Sequence, residues 1–294
     1  VPEDDVQIYM PRADTSDASK TPGTSRRVAA GVLCAVLVAG GALALWRISR
    51  EHTPEKTAAE FQAALASGDF ERLRAVAAPS GSGDFTEDAL SPMFALYRES
   101  AAFRQQTAQL ADEGSPCLHV EKRGGFPFST YRVLVDTCEL DVSTNVAGAS
   151  VTAGDAQTES VPVESADIAD SAGYTPDASN LVRAEAKFDA LYPGLYDLDI
   201  SYTSSAGQSF EKSTSVNLMQ PTQLSLDLDY TSLYVWNSSS ISVDLSIDGA
   251  YYTTLSAGSS LQLSPLHADS VVTASCKTDA GEVLTDSVPA ANRS

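Results

Sequence analysis

The apolar and polar positions divide the chain into one continuous apolar run, a helical stretch and a long series of short alternating strands. The apolar run, VAAGVLCAVLVAGGALALW, covers 28–46 and contains no charged side chain. As a helix it is about 28 Å long, enough to cross the hydrocarbon core of a bilayer. Arginines flank both ends, and Trp46 is of the aromatic type enriched at membrane interfaces. We therefore predict a single transmembrane helix over 28–46, preceded by a disordered cytoplasmic tail over 1–27.

Two alternatives to a membrane span remain open for this run. A buried core helix is disfavoured, because a helix that is apolar around its whole circumference rarely suits a small globular domain. A cleavable signal peptide is the stronger rival, since Ala42-Leu43-Ala44 fits a cleavage site. The run is long for a signal peptide and 27 residues precede it. Cleavage would make the rest of the chain a secreted protein.

Residues 53–113 carry apolar side chains at helical spacing. Thr53-Pro54 has the cap and first-turn residues of a helix start, and Gly68 is placed to end that helix. Asp69 is expected to cap a second helix. A third, longer helix is expected to start at Ser91-Pro92 and to continue to the end of this stretch.

Two strand-like runs follow, CLHVEK and YRVLVDTC, joined by 123–125. A hairpin in which Lys122 faces Val133 places Cys117 opposite Cys138. Facing positions on neighbouring strands are within reach of a disulfide. We predict that these two cysteines are bridged; two reduced, small apolar side chains are the alternative.

The remainder of the chain contains two copies of one strand-rich unit. The matched segments are Leu191-Tyr192-Pro193 with Leu263-Ser264-Pro265, Ser215-Val216 with Ser287-Val288, and Asn145 with Asn237. The extra residues of the first copy fall in 160–180, SVPVESADIADSAGYTPDASN, which is predicted to be a solvated acidic loop. A calcium site in this loop is the alternative, although its acids lack the alternating spacing of a known calcium-binding loop.

These segments together predict an α+β fold. After the single transmembrane helix we expect a membrane-proximal helical domain over 53–138 that ends in a β-hairpin. A first small antiparallel β-sandwich repeat with an acidic insertion covers 139–220, and a second covers 221–290.

The net charge of the chain excludes one class of function. The formal net charge is -20 and the sequence pI is about 4.3, which excludes a nucleic-acid binder because phosphate contacts require clustered Lys and Arg. Lys and Arg are balanced on the two sides of the span, so they do not fix its orientation. The predicted disulfide does, because disulfides persist in oxidising compartments. We therefore expect the C-terminal region to be extracytoplasmic.

No catalytic chemistry is visible. The histidines are His52, His119 and His267, and none lies near a serine or cysteine motif. No metal-ligand cysteine pair, phosphate-binding loop or nucleophile elbow occurs. Residues 209–212 spell S-x-x-K, but within an alternating strand and without the other elements of that enzyme class. The sequence predicts no catalytic residue, no cofactor and no metal ligand, and hence not an enzyme.

The order of parts resembles the TcaA-type, teicoplanin-resistance-associated membrane proteins of Gram-positive bacteria. The resemblance is carried by AAEFQAALASGDFERLRAV at 58–76, EKRGGFPFSTYRVLV at 121–135, DVSTN at 141–145 and LYPGLYDLDISYTSSAG at 191–207. The two repeats also resemble the small PEGA-type sandwiches of bacterial surface proteins. The resemblance implies an anchored envelope protein linked to cell-wall stress and glycopeptide sensitivity, and it carries over no catalytic residue. The N-terminal zinc-ribbon cysteines usual in that family are not in this sequence.

The expected role is binding or scaffolding in the cell envelope, with an envelope protein or a cell-wall component as partner. The acidic surface favours a protein or cationic partner over anionic wall polymers. Small residues four apart in the span, Gly31 with Ala35 and Gly40 with Ala44, also permit a homo-oligomer through the membrane helix. A subunit of a cell-wall-modifying enzyme is the alternative function.

Overall fold

The computed structural model describes residues 53–81, 83–124, 129–163, 176–278 and 280–291. The predicted tail over 1–27 and the predicted span over 28–46 lie outside them. Among the residues that are described, no helix is both long enough and apolar enough to cross a membrane. The described part has the predicted α+β class, with a few helices followed by β-sandwich-like sheets.

Four α-helices open the described part, with bounds Pro54–Ser67 (α1), Phe70–Val76 (α2), Glu87–Glu99 (α3) and Ala101–Ala108 (α4). The predicted caps are confirmed. The Thr53 side chain accepts a hydrogen bond from the backbone N–H of Lys56, and Asp69 does the same at the start of α2. Gly68 ends α1 in the left-handed region at φ 68°, which glycine adopts without steric cost.

The predicted start of the third helix at Ser91-Pro92 is wrong. The helix begins at Glu87, because the Thr86 hydroxyl accepts the backbone N–H of Ala89 at 3.3 Å and Pro92 is accommodated inside α3. The long helix is also interrupted, since the Ser100 hydroxyl accepts the N–H of Phe103 and starts α4.

A three-stranded sheet completes the helical subdomain (53–136). Its strands are Ala77–Pro79 (β1), Leu118–Arg123 (β2) and Thr130–Val135 (β3), in the order β1-β3-β2, with β1 parallel and β2 antiparallel to β3. Phe61, Leu65, Leu90 and Phe103 from the helices pack with Val133 of the sheet into one buried core.

The hairpin register differs from the predicted one by two residues. Lys122 faces Tyr131 rather than Val133, while Val120 faces Val133. This register extends the ladder toward the turn and sets both apolar residues of β2 against valines of β3. Cys117 consequently lies opposite Asp136 at the end of the ladder, two positions from Cys138, and its carbonyl accepts the N–H of Asp136 at 2.9 Å.

The first sandwich (137–230) consists of two four-stranded sheets. Their strands are Cys138–Thr144 (β4), Ser150–Ala153 (β5), Ala156–Glu159 (β6), Val161–Pro162 (β7), Ala184–Leu191 (β8), Gly194–Thr203 (β9), Ser209–Leu218 (β10) and Thr222–Ser225 (β11). The sheet orders are β10-β9-β5-β6 and β11-β4-β8-β7. Nineteen side chains buried between the two sheets form its core.

The boundary predicted between 220 and 221 is misplaced, because β11 belongs to the first sandwich. β11 pairs with β4 in parallel, so the sandwich is not purely antiparallel. Leu226 and Leu228, which follow β11, are 5% and 3% exposed and lie in the first core. The apolar period of this segment was visible in the sequence, but the sheet that it joins was not.

The predicted solvated loop is wrong at its C-terminal end. Residues 176–180 form a short 3₁₀ helix, and Asp177 is buried. Its carboxylate accepts the hydroxyl of Tyr202 at 2.7 Å and both the N–H and the hydroxyl of Ser205. These charge-assisted hydrogen bonds replace the water that a loop carboxylate would otherwise require.

The Asp177–Tyr202 contact predicts an alkaline loss of stability. Burial, with the carboxylate of Asp177 opposing and the Asn180 amide favouring ionisation, raises the pKa of Tyr202 to about 12. Because the folded pKa lies above the unfolded value of about 10, this tyrosine's contribution is complete below about pH 10 and is lost as pH approaches 12. Tyr202→Phe should remove this pH-dependent contribution and lower the free energy of unfolding by about 2 kcal/mol at neutral pH. Urea unfolding across that pH range measures both effects.

Tyr234→Phe is the control, because that side chain is 66% exposed. An alkaline slope that is the same in wild type and in Tyr202→Phe would contradict the assignment.

The second sandwich (231–291) repeats the first. Its strands are Thr231–Trp236 (β12), Val243–Ile247 (β13), Ala250–Leu255 (β14), Ser260–Leu266 (β15), Val271–Lys277 (β16) and Val283–Pro289 (β17). The order β14-β13-β16-β17 matches β6-β5-β9-β10, and the pair β12-β15 matches β4-β8. The described strands of the second sandwich include no equivalent of β7 or β11.

The two asparagines that were matched in sequence have different roles. The Asn145 side chain forms two 2.9 Å hydrogen bonds with the backbone N–H and C=O of Leu228. Asn237 instead donates to the carbonyls of Ile241 and Leu255, within its own sandwich. The equivalence of the copies therefore holds for strand order and not for every residue.

Polar contacts connect the two sandwiches. The Gln208 side chain donates to the Asp248 carboxylate at 2.9 Å and accepts the backbone N–H of His267 at 3.3 Å. Asp248 also accepts the N–H of Val271, and this bond is the main reason that the pKa of Asp248 is lowered. The His267 ring stacks on Phe210 with centroids 4.3 Å apart.

Candidate functional site

The site begins with a close contact between α3 and the first sandwich. A Cβ atom placed on Gly194 would lie 2.5 Å from the Cβ of Pro92 and 2.9 Å from the Tyr196 ring. Only glycine lets the helix approach the start of β9 this closely. The Pro-Gly-x-Tyr motif at 193–196 therefore allows the helical subdomain to pack closely against the sandwich.

A cleft of about 430 Å³ opens beside this contact. It is bounded by α3 and the segment before it, by the β5–β6 turn and by the β8–β9 turn. The wall is mostly apolar and includes Pro92, Leu191 and the ring of Tyr196. The volume lies within the range of small-molecule and side-chain binding sites.

Three carboxylates line this cleft. Asp84 and Asp88 come from the helical side, and Asp155 comes from the β5–β6 turn. All three side chains are exposed, and none takes part in an ion pair with another described residue. Among the described residues, no Lys or Arg lines the cleft. The cleft therefore combines an apolar wall with uncompensated negative charge.

One residue of the cleft wall carries a buried hydroxyl that has no partner among the described residues. Tyr192 lines the cleft, is 4% exposed, and its hydroxyl makes no hydrogen bond within the described part of the chain. The hydroxyl lies beside Gly83, where a Cβ would meet it at 2.8 Å. An unpaired buried hydroxyl costs about 1–3 kcal/mol, so a ligand that pairs with it recovers that energy.

The surroundings hold this tyrosine in place. Phe85 packs edge-on against its ring with centroids 5.8 Å apart. The backbone carbonyl of Tyr192 accepts a hydrogen bond from the hydroxyl of Tyr196 at 2.8 Å, and burial raises the pKa of Tyr196 far above its usual value. Burial, together with the charge of Asp84, also raises the pKa of Tyr192. The Tyr192 hydroxyl is therefore neutral at physiological pH and available as a hydrogen-bond donor or acceptor.

The carboxylates and the apolar wall of the cleft together suit an organic cation. Among the described residues, no three His, Cys, Asp or Glu side chains converge in a way that would hold a metal. Exposed carboxylates at the cleft wall attract a positive charge, while the apolar wall accepts an aliphatic stem. A lysine or arginine side chain has both parts.

A second cleft of about 380 Å³ lies between the sandwiches. Two of its hydroxyls already have protein partners: the Ser205 hydroxyl donates to Asp177 and lies 3.2 Å from the Tyr252 hydroxyl. Unlike Tyr192, these groups need no ligand to be satisfied, so this cleft is the weaker candidate.

The cysteine pair predicted from sequence is joined in the structure. Cys117 and Cys138 form a disulfide with Cα atoms 6.5 Å apart, and Cys276 is free. The bridge links the helical subdomain to the first strand of the sandwich, close to Thr137 of the cleft wall. Of the residues considered for chemistry, the 209–212 motif lies in β10, as expected for a strand.

Both described histidines have structural partners. His119 lies 3.2 Å from the Asp136 carboxylate, and the His267 ring nitrogen contacts the Ser209 carbonyl at 2.9 Å. His52 lies outside the described residues.

No family model, curated protein or solved structure matches this chain. The function is therefore argued from the cleft and the sequence pattern.

The sequence did not single out the acids of the cleft. Asp84 and Asp155 are distant in the chain and line the same cleft, beside the contact of Pro92 with Gly194. The Leu-Tyr-Pro-Gly-Leu-Tyr segment was the available signal, since a glycine between two tyrosines in a strand-rich region indicates a close backbone approach.

Proposed function

We propose that this protein is a non-enzymatic, membrane-anchored binding module of the bacterial cell envelope, which holds a cationic side chain of a partner protein in the acidic cleft. The observation that carries the proposal is the buried Tyr192 hydroxyl beside a cleft lined by three carboxylates, none of which has a partner among the described residues that would satisfy or neutralise it. A lysine ammonium can donate to this hydroxyl and to a carboxylate together.

The proposed localisation is argued mainly from the sequence. The apolar run over 28–46 supports a single span with the C-terminal region outside, and the Cys117–Cys138 bridge suits an oxidising compartment. The resemblance to the TcaA-type proteins supports a role in the response to cell-wall stress and glycopeptides. The net charge of -20 favours a cationic protein partner over anionic wall polymers.

Binding is tested by NMR titration of the full chain with a short peptide that carries one lysine between alanines. The matched control peptide has norleucine in place of lysine, which keeps the aliphatic stem and removes the charge. We expect the lysine peptide, and not the norleucine peptide, to shift the signals of Ala153, Ala156 and Leu191.

Two protein variants separate the contributions to binding. Tyr192→Phe should weaken the lysine peptide roughly tenfold, the loss of one hydrogen bond to a charged group, while the free energy of unfolding stays equal or rises. Asp84→Asn with Asp155→Asn should weaken it further. Asp269→Asn with Asp286→Asn changes the net charge equally at exposed positions of the second sandwich and should leave binding unchanged.

Equal weakening by both double variants would show that only the overall charge attracts the peptide, and the cleft proposal would fail. The same variants, expressed in a deletion strain and scored for glycopeptide susceptibility, test the cellular role. We expect Tyr192→Phe to complement poorly and the Asp269/Asp286 control to complement fully.

A further inference from the structure

The second sandwich has an open strand edge that is filled in the first. In the first sandwich, β4 pairs with β8 on one side and with β11 on the other. In the second, β12 is the equivalent of β4, and among the described strands it pairs only with β15. Its other edge presents backbone donors and acceptors without a strand to pair with.

Side-chain burial also indicates that the edge beside β12 is open. The inward-facing Leu140 and Val142 of β4 are fully buried, with 0% exposure. The inward-facing Leu233 and Val235 of β12 are only half-buried. In the first sandwich, Leu224 of β11 and the following Leu226 and Leu228 cover the core at this border. The second core lacks a comparable set of leucines.

The backbone of β12 is oriented to accept a strand. The N–H of Asn237 donates to the carbonyl of Ser259, at the end of the β12–β15 pair. Because successive residues of a strand direct their N–H and C=O groups to opposite sides, those of Tyr234 and Trp236 point to the open edge. In the first sandwich a β4 residue that faces the same edge is paired: the Ser143 carbonyl accepts the N–H of Leu226 at 2.8 Å.

The open edge also lacks the usual protection. Natural edge strands often carry charges or proline, which discourage pairing with other chains. β12 has neither, and no charged residue occurs between Tyr230 and Val243 in a chain with net charge -20. An uncharged strand can approach this edge without electrostatic repulsion.

We propose that β12 is a strand-addition site for an extended peptide segment of a partner protein. The segment runs parallel to β12, has leucine-like side chains at alternate positions and is uncharged. The template is the β11 segment, which fills the equivalent place beside β4. This site is separate from the acidic cleft and does not depend on the cationic ligand proposed there.

The test uses a labelled peptide with the sequence of residues 221–229, in which both aspartates are replaced by asparagine. The protein is the full 294-residue chain in lipid nanodiscs, because 28–46 is apolar. We expect saturable binding by fluorescence anisotropy. In β11 the N–H groups of the leucines face β4, as the Leu226–Ser143 bond shows. N-methylation of the peptide at Leu226 should therefore weaken binding at least tenfold, and N-methylation at Ser225 should change it less than twofold.

Two variants of the protein locate the site. Tyr234→Pro removes an N–H from the open edge while leaving the β12–β15 ladder intact, and it should abolish binding. Tyr234→Ala removes the exposed ring but keeps the N–H, and it should bind within twofold of wild type. The N-methylated peptides keep the test valid if the proline variant unfolds.

Four results would overturn the proposal. They are the absence of saturable binding, equal effects of the two N-methyl groups, binding lost in Tyr234→Ala as in Tyr234→Pro, and binding unaffected in a folded Tyr234→Pro. A chain that light scattering shows to be dimeric, and that Tyr234→Pro makes monomeric, would assign the edge to a second copy instead.

Discussion

Replacing Cys117 and Cys138 together with alanine is expected to lower the free energy of unfolding by about 3 kcal/mol. The two cysteines are 21 positions apart, and in the loop-entropy model closing a loop of that size removes entropy from the unfolded chain and raises its free energy by about this amount. The bridge is also 2% and 0% exposed at its two ends, inside the core of the first sandwich. Urea denaturation of the oxidised wild type and of the double variant measures the difference.

Cys276→Ala is the matched control, because that cysteine is free and only partly buried. It should change the unfolding free energy by less than about 1 kcal/mol. Wild type treated with a thiol reductant should approach the double variant, whereas Cys276→Ala should respond to the reductant as wild type does. Reduced and oxidised wild type that unfold at the same urea concentration would show that the bridge contributes nothing.

Gly194→Ala is expected to destabilise the protein by about 2–3 kcal/mol, although it adds a single methyl group. That methyl would lie 2.5 Å from the Cβ of Pro92 and 3.0 Å from its carbonyl carbon, so the helix or the strand must move. Overpacking of this kind typically costs about 1–3 kcal/mol. The same movement changes the wall of the acidic cleft, so the lysine peptide should also bind more weakly.

The control is Gly81→Ala, which makes the same chemical change where no atom lies within 4 Å of the added Cβ and where φ is not positive. It should be neutral or slightly stabilising, because alanine restricts the unfolded chain. If the two variants have equal unfolding free energies, the approach of Pro92 to Gly194 is not a tight contact.

The sequence predicted those features of the fold that depend on local chemistry. Thr53 and Asp69 were identified as caps because their side chains satisfy nearby backbone N–H groups. The Asp-Gly dipeptide at 248–249 favours a turn, and both residues adopt positive φ. The α+β class followed from the change from helical spacing over 53–113 to the strand-like runs after it.

Features that depend on distant contacts could not be predicted in this way. Thr86 and Ser91 were both chemically acceptable caps for α3; in the structure Thr86 caps the helix, and Pro92 lies inside it, packed close to Gly194. The alternating leucines at 224, 226 and 228 suit either sandwich, and the pairing of β11 with β4 places them in the first. Asp177 looks like any loop acid until Tyr202 and Ser205 are placed around it.

The candidate site also depends on contacts between residues that are distant in the chain. Each of its acids lies in a turn or at a helix start, where aspartate is common for local reasons. They line one cleft beside a glycine–proline contact between elements that are about a hundred residues apart. The orphaned hydroxyl of Tyr192 can be recognised only when the partners of every neighbouring group are known.

The parallel pairing of β11 with β4 has a mechanical consequence. A pull that separates the second sandwich from the helical subdomain acts on the N-terminal end of β4 and on the C-terminal end of β11. Because the two strands run in the same direction, this load slides one along the other, and their hydrogen bonds must break together rather than one after another. Thr222–Ser225 would thus serve as a shear clamp that keeps the first sandwich closed under tension.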